Sequence, residues 1–214
     1  AGTIGGVGNN GAGVVGVNWT VRLMALKFLN SGGSGYTSDA AEATHYATVM
    51  KAKLTSNSWG GGGYSQSLFD AIEEANRSNI LFVAAAGNSS SDTDSSPNYP
   101  SSYINANIIA VAATDNRDQL AYFSNYGLRS VDIGAPGVNV YSCQPGGLYQ
   151  YLSGTSMATP HVAGACALVW SINPSAAAAA VKQALLDGTE QTASLSGKCV
   201  TGGRLNVYSA LQKF

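Results

Sequence analysis

A serine attacks a carbonyl effectively only when one group takes its proton and another receives the negative charge that the attack creates. The segment Gly154-Thr155-Ser156-Met157-Ala158-Thr159-Pro160-His161-Val162-Ala163-Gly164 places a serine where the second condition can be met. Glycine and threonine allow a tight approach, Ser156 falls at the start of an apolar helical pattern, and the small residues after it let that helix pack deeply. The positive end of a helix dipole and a backbone N–H then face any oxyanion formed on Ser156. A plainer role stays open, because a serine at a helix start is far more often a cap than a nucleophile. Asn88 is two-sided in the same way: it is an amide donor just past the apolar run 80–86, or a turn residue after Gly87.

A general base is harder to find, since the two histidines are His45 and His161. His161 follows Ser156 by five positions on one helix, and side chains at that spacing do not meet. It reads as a packing residue. His45, in the helical stretch 39–53, belongs to a crossover layer and reads as a surface or second-layer histidine. Cys143, Cys166 and Cys199 match no zinc-ligand spacing and are too few for a disulfide scaffold. Cys166 reads as a buried free thiol in its apolar stretch, while Cys143 and Cys199 could pair or stay free. Gly6-Val7-Gly8-Asn9-Asn10-Gly11 satisfies G-x-G-x-x-G, but no strand precedes it and no acidic residue stands near twenty positions on. It reads as a glycine turn between an opening helical fragment and the first strand. Asn-x-Ser/Thr matches at Asn18, Asn76 and Asn88 read as unmodified sequons.

The elements that must position these residues alternate between short apolar runs and helical patterns. That is the signature of βαβ units and of a parallel sheet covered on both faces. Strands are expected at 21–28 (VRLMALKF), 54–59, 80–86 and 108–113, with right-handed crossovers. Helices are expected at 39–53, 65–78, 159–172 and 175–186, the last ended by Gly188. The stretch 88–107 lacks periodicity and reads as a long surface loop, a kind often tied to function. The expected architecture is a three-layer α/β/α sandwich forming one domain over residues 1–214. Only 11% of residues are charged, with 11 Lys+Arg against 12 Asp+Glu, so no field favours nucleic acid or an acidic membrane face. No apolar run reaches the 18 or so residues of a spanning helix. Twenty-six glycines and a polar surface of hydroxyls and amides give a secreted look.

Taken together, these residues resemble the subtilisin-like serine peptidases, or subtilases. Residues 154–164 resemble the family's nucleophile segment, and Ala85-Ala86-Gly87-Asn88 its oxyanion segment. Gly33-Ser34-Gly35 and Asn57-Ser58-Trp59-Gly60 look like the two extended segments that clasp a substrate backbone, and Ala135-Pro136-Gly137 also fits. The resemblance runs over the whole chain in order. It implies an endopeptidase acting on polypeptide substrates. Ser156 would be the nucleophile, the Asn88 amide and the Ser156 N–H the oxyanion hole, and Thr155 its support. Gly33, Ser34, Gly35, Ser58, Trp59 and Gly60 would bind substrate, with Trp59 and Tyr36 near its side-chain pockets.

The departure from the family pattern is as informative. Family members carry an aspartate near an early strand's end and a histidine in H-G-T-H-V-A-G-T, and this sequence opens at Ala1-Gly2-Thr3-Ile4, inside that second motif. The expectation is a subtilisin-like domain that is N-terminally truncated and inactive alone. Either a separate N-terminal fragment completes it, or it is a pseudopeptidase serving as a peptide-binding or structural module. Truncation is further expected to expose the strand 21–28 as an apolar sheet edge, open to that fragment or to a second copy. Asn9 and Asn10 fall where many subtilases wrap calcium, so calcium is the one cofactor the resemblance raises; no other metal site is expected.

Overall fold

The computed structural model describes residues 1–214. Helices α1 (Gly2–Gly5) and α2 (Thr37–Val49) precede β1 (Leu54–Asn57), and α3 (Gln66–Arg77) leads into β2 (Leu81–Ala85). After the loop 86–107 come β3 (Ile108–Thr114), β4 (Ile133–Pro136) and the hairpin β5 (Val140–Gln144) and β6 (Leu148–Leu152). Helices α4 (Thr155–Ile172) and α5 (Ala178–Asp187), short strands β7 (Glu190–Gln191) and β8 (Gly203–Arg204), and α6 (Val207–Lys213) complete the chain. The main sheet has the order β1-β2-β3-β4-β8-β7, with β5 and β6 forming a separate antiparallel pair. Its first five strands run parallel and β7 runs antiparallel to β8.

Side chains alternate across a strand, and here both faces are buried, so the central strands read as unbroken apolar runs. Leu81, Val83, Ile109, Val111 and Ile133 point to one face, against Val162, Cys166 and Val169 of α4 and Val181 and Leu185 of α5. Phe82, Ala84, Ile108 and Ala110 point to the other, against Leu68 and Ile72 of α3 and Ala40 of α2. Three layers result. In α3 the buried set Leu68, Ile72 and Ala75 follows helical spacing, and Ser65 caps the start by accepting the Leu68 N–H. Full burial of each such Leu or Ile contributes about 1.5–3 kcal/mol.

One expected strand is absent. Residues 21–28 make no backbone hydrogen bond and belong to no ladder, and Leu23 and Met24 are exposed. The residue types suit a strand, but a strand exists only with a neighbour to take its N–H and C=O groups, and none lies alongside. The sheet edge is therefore β1, and the fourth central strand is β4. Residues 21–28 hold on by their ends: Phe28 packs edge-on against Trp59 with ring centroids 5.0 Å apart. At the other end, a side chain at Gly5 would run into Val21.

Two further details differ from simple expectation. Cys143 is exposed and Cys199 buried, and all three thiols are free. Burial pushes the Cys166 thiol up to about 12. The sequon residue Asn18 is buried, its Nδ2 donating to the carbonyls of Gly164 at 2.8 Å and Ile4 at 3.3 Å. This ties α1 to the middle of α4.

Candidate active site

The carboxyl ends of β1 and β2 and the amino end of α4 meet at one place, the usual position of a crevice in a parallel sheet. Ser156 is the second residue of α4, half-buried, and its N–H has no acceptor, as expected of the first turn of a helix. Asn88 lies three residues beyond β2. Its Oδ1 accepts from the Thr155 N–H at 2.8 Å and the Thr155 hydroxyl at 3.0 Å, and that same hydroxyl accepts from the Gly87 N–H at 3.2 Å. With its oxygen doubly engaged, the Asn88 amide presents Nδ2 as an unengaged donor beside Gly154. Two free N–H donors, the Ser156 N–H and Asn88 Nδ2, thus lie together at the head of α4, each 3.6 Å from where a Cβ on Gly154 would stand. Such a pair can receive the charge of a tetrahedral intermediate.

The other wall comes from the segment after β1. Ser58 and Ser156 are joined twice: the Ser156 hydroxyl donates to the Ser58 carbonyl at 3.1 Å, and the Ser58 hydroxyl donates to the Ser156 carbonyl at 2.8 Å. The second bond depends on Pro160. A helix carbonyl is normally taken by the N–H four residues on, but proline has none, so the Ser156 carbonyl is free for Ser58. Trp59 is steered by Asn57, whose buried Oδ1 accepts the indole N–H at 3.3 Å. Gly60 packs closely on Asn98 and the Tyr99 carbonyl, so that a Cβ there would stand 3.1 and 3.2 Å from them and would need a small shift.

Gly33, Ser34 and Gly35 are exposed in a turn that Asn30 closes, its Oδ1 accepting from the N–H groups of Gly32 and Ser34. Gly35 abuts Phe28, which packs on Trp59, so the two glycine-bearing segments are linked through an aromatic contact. An open depression of about 900 Å³ lies on the outer side of this turn, between residues 25–28 and α2, with Tyr36 on its rim. It does not include Ser156 or Asn88.

Neither histidine serves Ser156. His161 Nδ1 bonds the Met157 carbonyl at 2.9 Å, and burial holds its pKa below the ordinary value of 6.5. His45 Nδ1 bonds Glu74 Oε2 at 2.8 Å, joining α2 to α3 on the surface.

A model described as the subtilase family matches residues 1–202. The chain belongs to the subtilase family. It is similar to thermitase of Thermoactinomyces vulgaris, 40% identical over 212 residues, covering 99% of this chain and 73% of that protein. It is 46% identical over 175 residues to Subtilisin Savinase of Lederbergia lenta, covering 82% of this chain and 62% of the relative. An alkaline protease of Shouchella clausii matches at 46% over 175 residues, which is 44% of its length. Against the latter two, the chain spans less than two thirds of the relative. A solved protease structure from Pseudoalteromonas arctica superposes with a TM-score of 0.87 at 30% identity, covering 99% of this chain and 68% of that one.

The sequence alone points to Ser156, Asn88, Thr155 and the two glycine-bearing segments, and the structure brings Ser156, Asn88, Thr155 and Ser58 together. The sequence gives no sign of Asn98, which lies against Gly60 and Gly87, or of Asn125, which bonds Ser89 and Ser91 on either side of Ser90; no local pattern marks them. Calcium takes six to eight oxygens, carbonyls among them. Residues 7–15 curl around an open pocket, where Asn10 Oδ1 accepts the Ala12 N–H at 3.1 Å and no side chain of the loop is a carboxylate. No group of three or more acidic, histidine or cysteine side chains forms a metal cluster elsewhere. No helix is long and apolar enough to cross a membrane.

Proposed function

We propose that this subtilase chain is the acyl-transfer half of an endopeptidase acting on extended polypeptides. Ser156 Oγ bonds to the scissile carbonyl carbon, the carbonyl's π electrons move to oxygen, and Asn88 Nδ2 and the Ser156 N–H receive that charge. Collapse expels the amine and leaves an ester on Ser156, which water hydrolyses. The observation that carries this reading is the pair of unengaged donors beside a hydroxyl at the head of α4. The proton of Ser156 goes to a base that passes it on to the departing amine, and neither His45 nor His161 is placed for that task, each being engaged elsewhere. That same fact favours a second reading, a peptide-binding module without turnover. The charge-poor surface of hydroxyls and amides supports an extracellular setting.

The partnerless edge of β1 and the unpaired backbone of residues 21–28 support uptake of a further strand, from a complementing segment or a second copy. Sedimentation equilibrium of the 214-residue chain should show association rising with concentration. A clean monomer throughout would remove this part of the proposal.

The deciding experiment is reaction with a fluorophosphonate, located by mass spectrometry. The 214-residue chain should label slowly, and adding a segment that bears histidine and aspartate should produce stoichiometric labelling on Ser156. Fast labelling of the chain alone would return attention to its own histidines. No labelling in either preparation would favour the binding module.

A further inference from the structure

Thr155 holds the side chain of Asn88, but the turn that carries Asn88, residues 86–91, has no helix or strand of its own. Backbone bonds to Val111, Phe123 and Tyr126 and the Thr155 hydroxyl hold it in part, and one buried amide makes the remaining contacts on either side of Asn88. Asn125 is 3% exposed, and its polar atoms converge on that turn. Nδ2 donates to the Ala86 carbonyl at 2.9 Å, and Oδ1 accepts from the N–H groups of Ser89 at 2.9 Å and Ser91 at 3.0 Å. The Asn125 backbone N–H donates to the Gly87 carbonyl at 2.9 Å. These four bonds bracket Asn88 on both sides.

The clamp is tied to the rigid part of the fold. The Ala113 N–H at the end of β3 donates to the Ser124 hydroxyl at 2.9 Å, and that hydroxyl donates to the Asn125 carbonyl at 2.9 Å. A continuous path of hydrogen bonds runs from the buried sheet through Ser124 and Asn125 to the turn. Gly87 completes the fit: its φ is +107, and a Cβ there would stand 2.3 Å from Asn125 Nδ2. The chemistry required of the side chain is narrow, a donor to one carbonyl and an acceptor for two N–H groups in the same plane. A neutral amide supplies it. An aspartate would face the Ala86 carbonyl with a negative charge, and a leucine of similar shape would leave three backbone groups unpaired.

We propose that Asn125 is a positioning residue for the oxyanion hole, fixing the direction in which Asn88 presents Nδ2. This rests on the reading of Asn88 as an oxyanion donor. Asn88 touches the reacting atoms, and Asn125 acts only through it.

The test combines Asn125→Leu, Asn125→Asp, Asn88→Ala and the double variant Asn88→Ala/Asn125→Leu. It uses kcat and KM on a chromogenic peptide amide in the preparation that labels with fluorophosphonate, together with amide hydrogen exchange. Leaving buried groups unpaired should raise exchange at Ser89 and Ser91 about 10-fold or more in Asn125→Leu, with Val111 and Ala112 in β3 unchanged. Asn125→Leu should lower kcat about 10- to 100-fold with KM within about two-fold, and should add little once Asn88 is alanine. In Asn125→Asp, protection of Ser89 and Ser91 should return on the acid side, where the protonated carboxyl again donates to Ala86. This second variant keeps the test alive if the leucine fails to fold. Unchanged kcat in Asn88→Ala would overturn the reading of Asn88 and the proposal with it. A loss in Asn88→Ala with none in Asn125→Leu, fully additive losses, or unaltered exchange at Ser89 and Ser91 would overturn the proposal alone.

Discussion

Ser156 stands between two unlike regions. On the Asn88 side, β2 and β3 are buried on both faces, and the turn beyond β2 is bonded residue by residue to Thr155 and Asn125. On the other side, residues 21–28 have comparable apolar content yet make no backbone hydrogen bond, and the glycine turn 33–35 is exposed. The difference teaches that apolar content does not make a strand. What β3 has and residues 21–28 lack is a neighbour on each side, so one region can aim a donor to within tenths of an ångström and the other can only be completed by something that docks against it.

The largest expected effect sharpens the Asn88 side. In an active preparation, Ser156→Ala should abolish labelling and lower kcat about 10⁶-fold, the size known for removal of the nucleophile in a subtilisin. Asn88→Ala should keep the nucleophile and lower kcat about 10²- to 10³-fold with KM little changed, a size likewise known from one oxyanion donor in a subtilisin. Steady-state kinetics separates the two, and a dominant rise in KM would recast Asn88 as a substrate contact.

Next comes the buried sheet itself. Ile109→Ala should cost about 2–5 kcal/mol in denaturant unfolding, because the fully buried side chain leaves a cavity between β3 and α4. A cost under about 1 kcal/mol would mean that this layer collapses easily and is no rigid platform.

His161, in the helix that spans both regions, gives a smaller effect with a defined sign. Burial lowers its pKa from 6.5, so the unfolded chain binds its proton more readily than the folded one. Stability is therefore complete above pH 6.5 and falls as the pH drops below it toward the folded value, by at most about 1.4 kcal/mol per pH unit. His161→Gln should flatten that part of the pH–stability curve. An unchanged slope would assign the acid sensitivity to other groups.

The smallest effect tests the open side. Leu23 is 49% exposed, and Leu23→Ala should change stability by no more than about 0.5 kcal/mol. A loss as large as that of Ile109→Ala would show that residues 21–28 are packed in solution, and the contrast between the two regions would disappear.

The sequence is most legible where the signal is local. The runs at 80–86 and 108–113 and the helical spacing of Leu68, Ile72 and Ala75 reflect neighbours within a few positions, whereas Gly188 ends α5 where the backbone of Ala210 comes close. Helix α4 begins at Thr155, four residues earlier than its apolar pattern suggests, because the first turn is built from small polar residues of the site. Residues 21–28 mislead because pairing is non-local. Asn125 is invisible for a related reason: its partners lie 34–39 positions away, and nothing about a lone asparagine announces which turn it will hold. The two-residue strands β7 and β8 carry too few side chains to leave any period at all.

The buried amide of Asn18 bears on how the protein can be made. Asn18-Trp19-Thr20 is an acceptor for the oligosaccharyl machinery of a eukaryotic secretory pathway, which modifies such triplets on the nascent chain before folding. A sugar on that nitrogen could not follow it between the carbonyls of Ile4 and Gly164, so a chain glycosylated there would never close α1 against α4. Secretion from yeast or mammalian cells would be expected to yield misassembled, retained material, whereas a bacterial host leaves the triplet bare and the joint free to form.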